Sequence, residues 1–285
     1  MINTEVGVLP VPGAMLHFKL RGRGPLLLIL PSGSGDADNA DALADQLESQ
    51  FTLLTYDRRG QSRSPLTDGV PPPSVEIHAD DAHRLLAVHT PDPALVFGCS
   101  IGAIIGLELV IRHPGQVGTL VSHEASYAPF LDDQARDAAH RSHHLVDETY
   151  RLAGRRAAMR QLGLLNGADT AGAEPDLSPP RVGMRTAANA DFFLSQESQA
   201  VRRYVMDVDG LVERAATTQI IPTAGRTSRH VWPHRCSHSL ASRLTVPLTE
   251  LPGGHEGYRT HPRGFAASLR DILLSRPEPP NLDQP

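Results

Sequence analysis

Between the apolar run Ala94-Leu95-Val96-Phe97 and the helix-like run Ala103 to His113 lies Gly98-Cys99-Ser100-Ile101-Gly102. A strand that must turn into a helix across so short a link leaves few architectures open. A G-x-S-x-G pattern in that strand, turn, helix setting is a nucleophile elbow. The serine is held strained on the turn, and small residues on either side let the neighbouring main chain come close. Ser100 is therefore the candidate reacting residue. Two glycines around a serine arise by chance in many chains, so it is the flanking strand and helix that carry the assignment.

The rest of the chain repeats the same alternation. Apolar segments at Met15 to Leu20, Leu26 to Leu30, Phe51 to Tyr56, Ala94 to Phe97, Val117 to Ser122, Gln219 to Thr223 and Val246 to Leu251 read as strands. Helical stretches at Asp38 to Ser49, Val75 to Val88, Ala103 to Arg112, Pro233 to Leu244 and Pro262 to Leu274 separate most of them. Strands alternating with helices predict an α/β fold with a mainly parallel central sheet covered on both faces. Gly22, Gly24 and Pro25 lie between the first two segments and suit a hairpin at one edge. His113-Pro114-Gly115 ends the Ala103 helix, because proline restricts the residue before it and glycine permits a left-handed cap.

From Glu124 to about Thr217 the strand rhythm stops. Polar helical stretches, Asp132 to Leu162 and Asp191 to Ala215, are joined by a Gly-, Ala- and Pro-rich link from Gly167 to Pro180. A long helical insertion at the carboxyl edge of a sheet lies over the active site. The expected organisation is a core of residues 1–124 and 218–275, a helical lid of residues 125–217, and a disordered tail of residues 276–285 that carries several prolines.

Composition narrows the function classes. With 40% hydrophobic and 21% charged residues over 285 positions, the chain is globular rather than disordered. A net charge of −5 provides no basic footprint for nucleic acid and disfavours anionic membrane surfaces. Met1 to Gly13 shows neither a positive n-region nor an apolar h-region, so the expected location is cytoplasmic. The mainly apolar stretch Phe97 to Ile111 is too short to span a bilayer and reads as a buried helix. Cys99 and Cys236 form no disulfide framework and no C-x-x-C pattern; Cys99 reads as a small buried filler beside the elbow.

A serine hydroxyl needs a base to take its proton and a third group to orient that base. His255 fits the base: it follows the last strand in Leu251-Pro252-Gly253-Gly254-His255, at the strand's carboxyl end. The elbow, the segment Tyr56-Asp57-Arg58-Arg59-Gly60-Gln61-Ser62 after a strand, and the terminal Gly254-His255 together resemble the α/β-hydrolases, over most of the chain. Asp57, Arg59, Gly60 and Ser64 match the D-x-R-G-x-G-x-S loop of that superfamily, with Ser62 in place of its second glycine; the resemblance makes that loop structural. It also implies an oxyanion hole. One donor is the N–H of Ile101. The other comes from Pro31-Ser32-Gly33-Ser34-Gly35-Asp36, where the family commonly has His-Gly-x; Gly33 takes the donor position, with Ser34 as the alternative.

The acid departs from the common pattern. Many relatives carry aspartate a few residues after the strand at Gln219 to Thr223, but here Ser228 stands in its place and no carboxylate follows until Glu250. Some relatives use an acid at the end of the preceding core strand, where this chain has Val121-Ser122-His123-Glu124. Glu124 is therefore the expected orienter of His255, with Asp207 and Asp209 as weaker alternatives and an acid-less dyad as a third. His230, His234, Cys236 and His238 have poor spacing for zinc and read as a polar helix start. Asp80 and Asp81 are adjacent on a helix and read as solvated. The expected activity is a cofactor-independent serine hydrolase, metal-free, cleaving a small-molecule ester, thioester or lactone through an acyl-enzyme. The rivals are a lyase or biosynthetic cyclase on the same scaffold, and a ligand-binding protein with little turnover.

Overall fold

Strand segments that are apolar at nearly every position need helices above and below the sheet and strands on both sides. The apolar runs of this chain find both. The computed structural model describes residues 4–167, 172–177 and 184–275. One sheet contains β1 (Thr4–Val11), β2 (Ala14–Gly22), β3 (Leu26–Leu30), β4 (Thr52–Tyr56), β5 (Ala94–Cys99), β6 (Val117–His123), β7 (Gln219–Gly225) and β8 (Thr249–Leu251). Their spatial order is β1-β2-β4-β3-β5-β6-β7-β8. The run from β4 to β8 is parallel, and β1 and β2 are antiparallel additions at one edge.

Helices α1 (Asp41–Leu47), α2 (Val75–His89) and α3 (Ile101–Arg112) follow β3, β4 and β5. Along β3 the side chains alternate between two cores. Leu28 and Leu30 pack with Leu86 of α2 and Ile104 of α3, while Leu27 and Ile29 pack with Leu43 of α1. The chain's last described helix, Pro262–Leu274, adds Phe265 and Leu269 to that second core. Gly115 follows α3 with φ of 84°, a conformation glycine adopts without strain.

The edge differs from the sequence expectation. β2 and β3 do not pair; β2 runs against β4, and the hairpin joins β1 to β2 with Val11 opposite Ala14. Gly13, at φ of 79°, makes that turn. β1 is largely exposed, and Gly7 and Pro10 interrupt its apolar residues, so no continuous strand run announces it.

Between β6 and β7 the chain forms α4 (Asp133–Ala153), α5 (Arg155–Leu165), α6 (Met184–Phe192), α7 (Ser198–Arg203) and α8 (Val208–Arg214). The stretch Asp132 to Leu162 breaks at Gly154. The stretch expected from Asp191 starts earlier, and a π-helical turn at Phe193–Glu197 joins α6 to α7. The link from Gly167 to Pro180 is described only in part, and the tail of residues 276–285 lies outside the described residues. Both ends of the insertion enter the main core, through Phe130 and Ala135 at its start and Tyr204 and Leu211 at its end. Its outer part has a small core of its own, made by Val146, Ala158, Leu162 and Leu194. After β7 comes α9 (Trp232–Leu244), and after β8 come α10 (Gly257–Thr260) and α11, the Pro262–Leu274 helix. Among the described residues no helix is long and apolar enough to cross a membrane.

Candidate active site

The strand order reverses between β3 and β5: β4 lies on one side of β3, and β5 on the other. Loops leaving the carboxyl ends of these two neighbours diverge there, and the crevice between them is where open α/β sheets bind ligands. Ser100 stands at the top of β5 with φ of 57° and ψ of −119°, in a region that L-residues rarely occupy. Its N–H donates to the His123 carbonyl at 3.0 Å, which ties the turn to the end of β6. Gly102 permits the packing: a Cβ there would lie 2.1 Å from the Leu30 carbonyl oxygen at the end of β3. The Ser100 hydroxyl lies 3.2 Å from Ser126 Oγ, which itself donates to the Glu124 carbonyl at 3.2 Å.

His255 lies in the loop after β8 and is held there by its own backbone. Its carbonyl accepts the Cys99 Sγ hydrogen at 3.1 Å, so the residue before the elbow serine fixes the loop that carries the imidazole. Burial holds the Cys99 thiol well above its ordinary pKa, with the Glu256 and Glu124 charges adding to the effect. Such a thiol is a packing element, not a nucleophile.

Glu124 and His255 meet across the end of the sheet, with Glu124 Oε2 at 2.7 Å from His255 Nδ1. A carboxylate on Nδ1 makes that nitrogen the donor and leaves Nε2 with the lone pair. The other carboxylate oxygen, Oε1, accepts from the Gly225 N–H at 2.9 Å and from the Ser228 hydroxyl. Glu124 is completely buried. Burial alone would raise its pKa, but the His255 hydrogen bond and charge, with the Ser228 hydrogen bond behind them, hold it down at about 2. Ser228, at the position where many relatives carry aspartate, thus donates to the candidate acid Glu124. Asp207 and Asp209 are elsewhere: Asp207 caps α8 by accepting the Gly210 N–H at 3.0 Å, and Asp209 lies in that helix's first turn.

His123 was not singled out in the sequence, where it is one apolar-strand histidine among fourteen. It is fully buried behind the pair, with Nδ1 3.1 Å from Thr223 Oγ1 and Nε2 3.3 Å from the Gly254 carbonyl. Burial pushes its pKa down to about 4 against the pull of Glu124, so the ring is neutral and Glu124 keeps its charge for His255.

In the loop after β3, the N–H groups of Gly33 and Ser34 have no acceptor among the described residues, and neither has that of Ile101 at the start of α3. The D-x-R-G loop ties down its surroundings. Asp57 accepts the Ala37 N–H at 2.9 Å and the Arg63 N–H at 2.9 Å. Arg59 binds Asp81 through Nε at 2.6 Å, so Asp81 is a fully buried ion-pair partner rather than a solvated residue. Asp80 differs from its neighbour, remaining near the surface where Arg112 and His113 bind it.

A pocket opens at Ser100 and Ile101. Ile104, Leu162, Phe193 and Trp232 contribute apolar walls, so three of its sides come from the helical insertion and from α9. Among the described residues no group of histidine, cysteine, aspartate and glutamate side chains is arranged to hold a metal ion.

Comparison with known proteins agrees with this architecture. A family model for the alpha/beta hydrolase fold matches residues 25–237. The chain is 36% identical over 269 residues to the uncharacterized hydrolase YraK of Bacillus subtilis, covering 94% of this chain and 95% of that one. A zearalenone hydrolase of Bionectria ochroleuca is 27% identical over 117 residues, 39% of this chain and 44% of its own. Among solved structures, an alpha/beta hydrolase from Sphaerobacter thermophilus superimposes with a TM-score of 0.69 at 22% identity, covering 94% of this chain and 100% of that one. A Pseudomonas aeruginosa structure provisionally described as an epoxide hydrolase gives 0.71 at 16% identity, covering 95% of each. At these identities the two structures speak for the fold alone. With the family match spanning most of its length and a hydrolase relative aligned almost end to end, the chain belongs to the alpha/beta hydrolase fold family.

Proposed function

We propose that the protein is a serine hydrolase acting on a small-molecule ester, thioester or lactone through an acyl-enzyme. The observation that carries this reading is the Glu124 to His255 hydrogen bond of 2.7 Å, made at the sheet end that also presents Ser100 on its strained turn. Ser100 Oγ attacks the acyl carbon, and His255 Nε2 takes the hydroxyl proton. Glu124 stabilises the imidazolium by its charge and keeps the ring in the tautomer that leaves Nε2 free. Negative charge develops on the former carbonyl oxygen, within a crevice that offers the N–H groups of Ile101 and the Gly33 loop, unpaired among the described residues. The imidazolium then protonates the leaving group. In the second half the same imidazole activates water, which releases the acid and restores the serine.

In the resting enzyme the Ser100 hydroxyl is turned to Ser126. Rotation about its Cα–Cβ bond frees it for the imidazole, and such bonds commonly tighten only when substrate is bound. Epoxide hydrolases and dehalogenases of this superfamily carry aspartate at the position of Ser100, whose alkylated form is an ester that water can cleave; a serine there would give an inert ether with an alkyl substrate, and so fits acyl transfer instead. The helical insertion acts as a lid in this reading, because its side chains wall the pocket above Ser100. Labelling with a fluorophosphonate followed by peptide mapping tests the proposal. An adduct on Ser100, lost in Ser100→Ala, is expected. Folded protein that takes no label at Ser100 overturns the acyl-enzyme, and turnover of a polycyclic metabolite with no activated ester cleaved points to the lyase or cyclase rival.

A further inference from the structure

Arg58 occupies the variable position of the D-x-R-G loop, to which the sequence assigns no chemistry. It is nevertheless the largest fully buried side chain among the described residues. Its guanidinium faces the loop after β3 and binds three successive carbonyls there. Nη1 donates to the Pro31 oxygen at 3.0 Å and the Ser32 oxygen at 3.3 Å, and Nη2 donates to the Gly33 oxygen. Gln61 Nε2 adds a second donor to the Gly33 oxygen at 3.0 Å.

A trans peptide unit is planar, with its N–H directed opposite to its C=O. Fixing the Ser32 and Gly33 carbonyls on Arg58 therefore turns the N–H groups of Gly33 and Ser34 the other way. Those are the two candidate oxyanion donors of this loop, and among the described residues neither has an acceptor. A single glycine-flanked loop is otherwise free to flip such peptides.

What holds Arg58 comes from the helical insertion. Glu197, the last residue of the π-helical turn, is buried and accepts from Arg58 Nε at 3.0 Å, from Arg58 Nη2 at 3.1 Å and from Gln61 Nε2 at 2.6 Å. His78 Nε2 on α2 lies 3.1 Å from the same carboxylate. Phe193, at the other end of that turn, lies against Gly33 so closely that a Cβ there would be 2.7 Å from its ring. The π-turn thus meets the oxyanion loop twice, once directly through Phe193 and once through the Glu197 to Arg58 ion pair. π-Turns of this kind recur at functional sites.

We infer that Arg58, held by Glu197 of the helical insertion, is the positioning residue that orients the oxyanion loop for catalysis. The inference rests on the serine-hydrolase reading. It makes oxyanion stabilisation conditional on the insertion being docked, and it separates Arg58 from Arg59, whose Asp81 pair supports the loop from outside.

The test compares wild type with Glu197→Gln on an activated ester. Asp80→Asn, which removes a half-buried carboxylate whose partners Arg112 and His113 lie outside the insertion, serves as control for general loss of stability. The expected result is a kcat lower by ~10-fold or more, with KM within about twofold. Affinity for a trifluoromethyl ketone, which forms a tetrahedral oxyanion on the serine, falls by a similar factor, and Asp80→Asn leaves both unchanged. Unchanged kcat and inhibitor affinity in folded Glu197→Gln overturn the inference. A rise in KM alone also overturns it, since Glu197 would then only wall the pocket. If Glu197→Gln does not fold, Gln61→Met removes one donor to the Gly33 oxygen without stranding a charge; the same split is expected, and its absence counts against the proposal. Should wild type take no fluorophosphonate label, the hydrolase reading fails separately. Amide exchange of residues 32–35 then decides: faster exchange in the variant supports the positioning role, and an equal rate ends it.

Discussion

At the scale of single residues, the site turns on how one carboxylate is kept charged out of water. Glu124 is completely buried, and an unpaired carboxylate there would take up a proton instead of staying ionised. Three donors prevent that: His255 Nδ1, the Gly225 N–H and the Ser228 hydroxyl. Glu124→Gln presents an amide to His255 and favours the wrong tautomer, so kcat is expected to fall by ~100-fold or more with KM little changed. Steady-state kinetics beside a melting curve checks this, and a variant as fast as wild type removes Glu124 from the mechanism. The same change alters pH behaviour. A carboxyl held at about 2 when folded, against 4.5 as its ordinary value, contributes stability that is full above the ordinary value and is lost as pH falls toward 2. The stability gap between wild type and Glu124→Gln should therefore narrow from pH 5 downward in denaturant titrations. Little of this was legible residue by residue. Glu124 was reachable because it ends a strand at the correct sheet edge, but Ser228 showed in the sequence only as a missing aspartate. Its role depends on a contact across more than a hundred positions, which no local pattern carries.

At the scale of elements, two loops and a π-turn converge on Gly33. A methyl group at that position would sit 2.7 Å from the Phe193 ring, closer than packed atoms allow. Gly33→Ala is therefore expected to push the insertion and the oxyanion loop apart. Losing one oxyanion donor costs about 3 kcal/mol of transition-state stabilisation, so kcat/KM should drop by ~100-fold while far-ultraviolet circular dichroism stays unchanged. Activity within a few-fold of wild type would show that the loop absorbs the methyl group and that Gly33 is not a donor. The central elements themselves were readable, since β3, β5 and α11 are runs with clear periodicity and clear stops. β1 was missed because Gly7 and Pro10 break up the apolar residues of this exposed edge strand, and that omission misplaced the hairpin. The solvated reading of Asp81 failed for a related reason. Position on a helix says which residues share a face, but not that Arg59 arrives to bind one of them.

At the scale of the whole molecule, one family fold carries a helical insertion that is anchored at both ends and looser between them. Tyr127 and Tyr204, near its two ends, lie in the main core, where Tyr127 Oη accepts the Met206 N–H at 2.8 Å and the Tyr204 hydroxyl donates to Glu108 of α3. The outer segment around Val146 and Leu162 rests on a separate, much smaller cluster. Hydrogen exchange should thus show residues 146–165 opening well before β5 and β6, with protection rising when the pocket is filled; equal protection throughout would mean that the insertion and core open as one unit. Trp232, the only tryptophan, stands at the pocket with its ring 5.4 Å from that of His143 on α4, so its fluorescence reports the same docking. What the amino-acid order determined by itself was local: the elbow at Ser100, the alternation that demands a parallel sheet, the histidine after the last strand, and the place where the insertion begins. Those follow from steric limits on short turns and from burial periodicity, which act between near neighbours in the chain. The tertiary structure alone decided which carboxylate meets His255, that Ser228 assists it, and that Arg58 faces the oxyanion loop under Glu197. Those choices rest on hydrogen bonds and ion pairs between residues far apart in sequence, whose directions exist only once the sheet has brought their loops to a common edge.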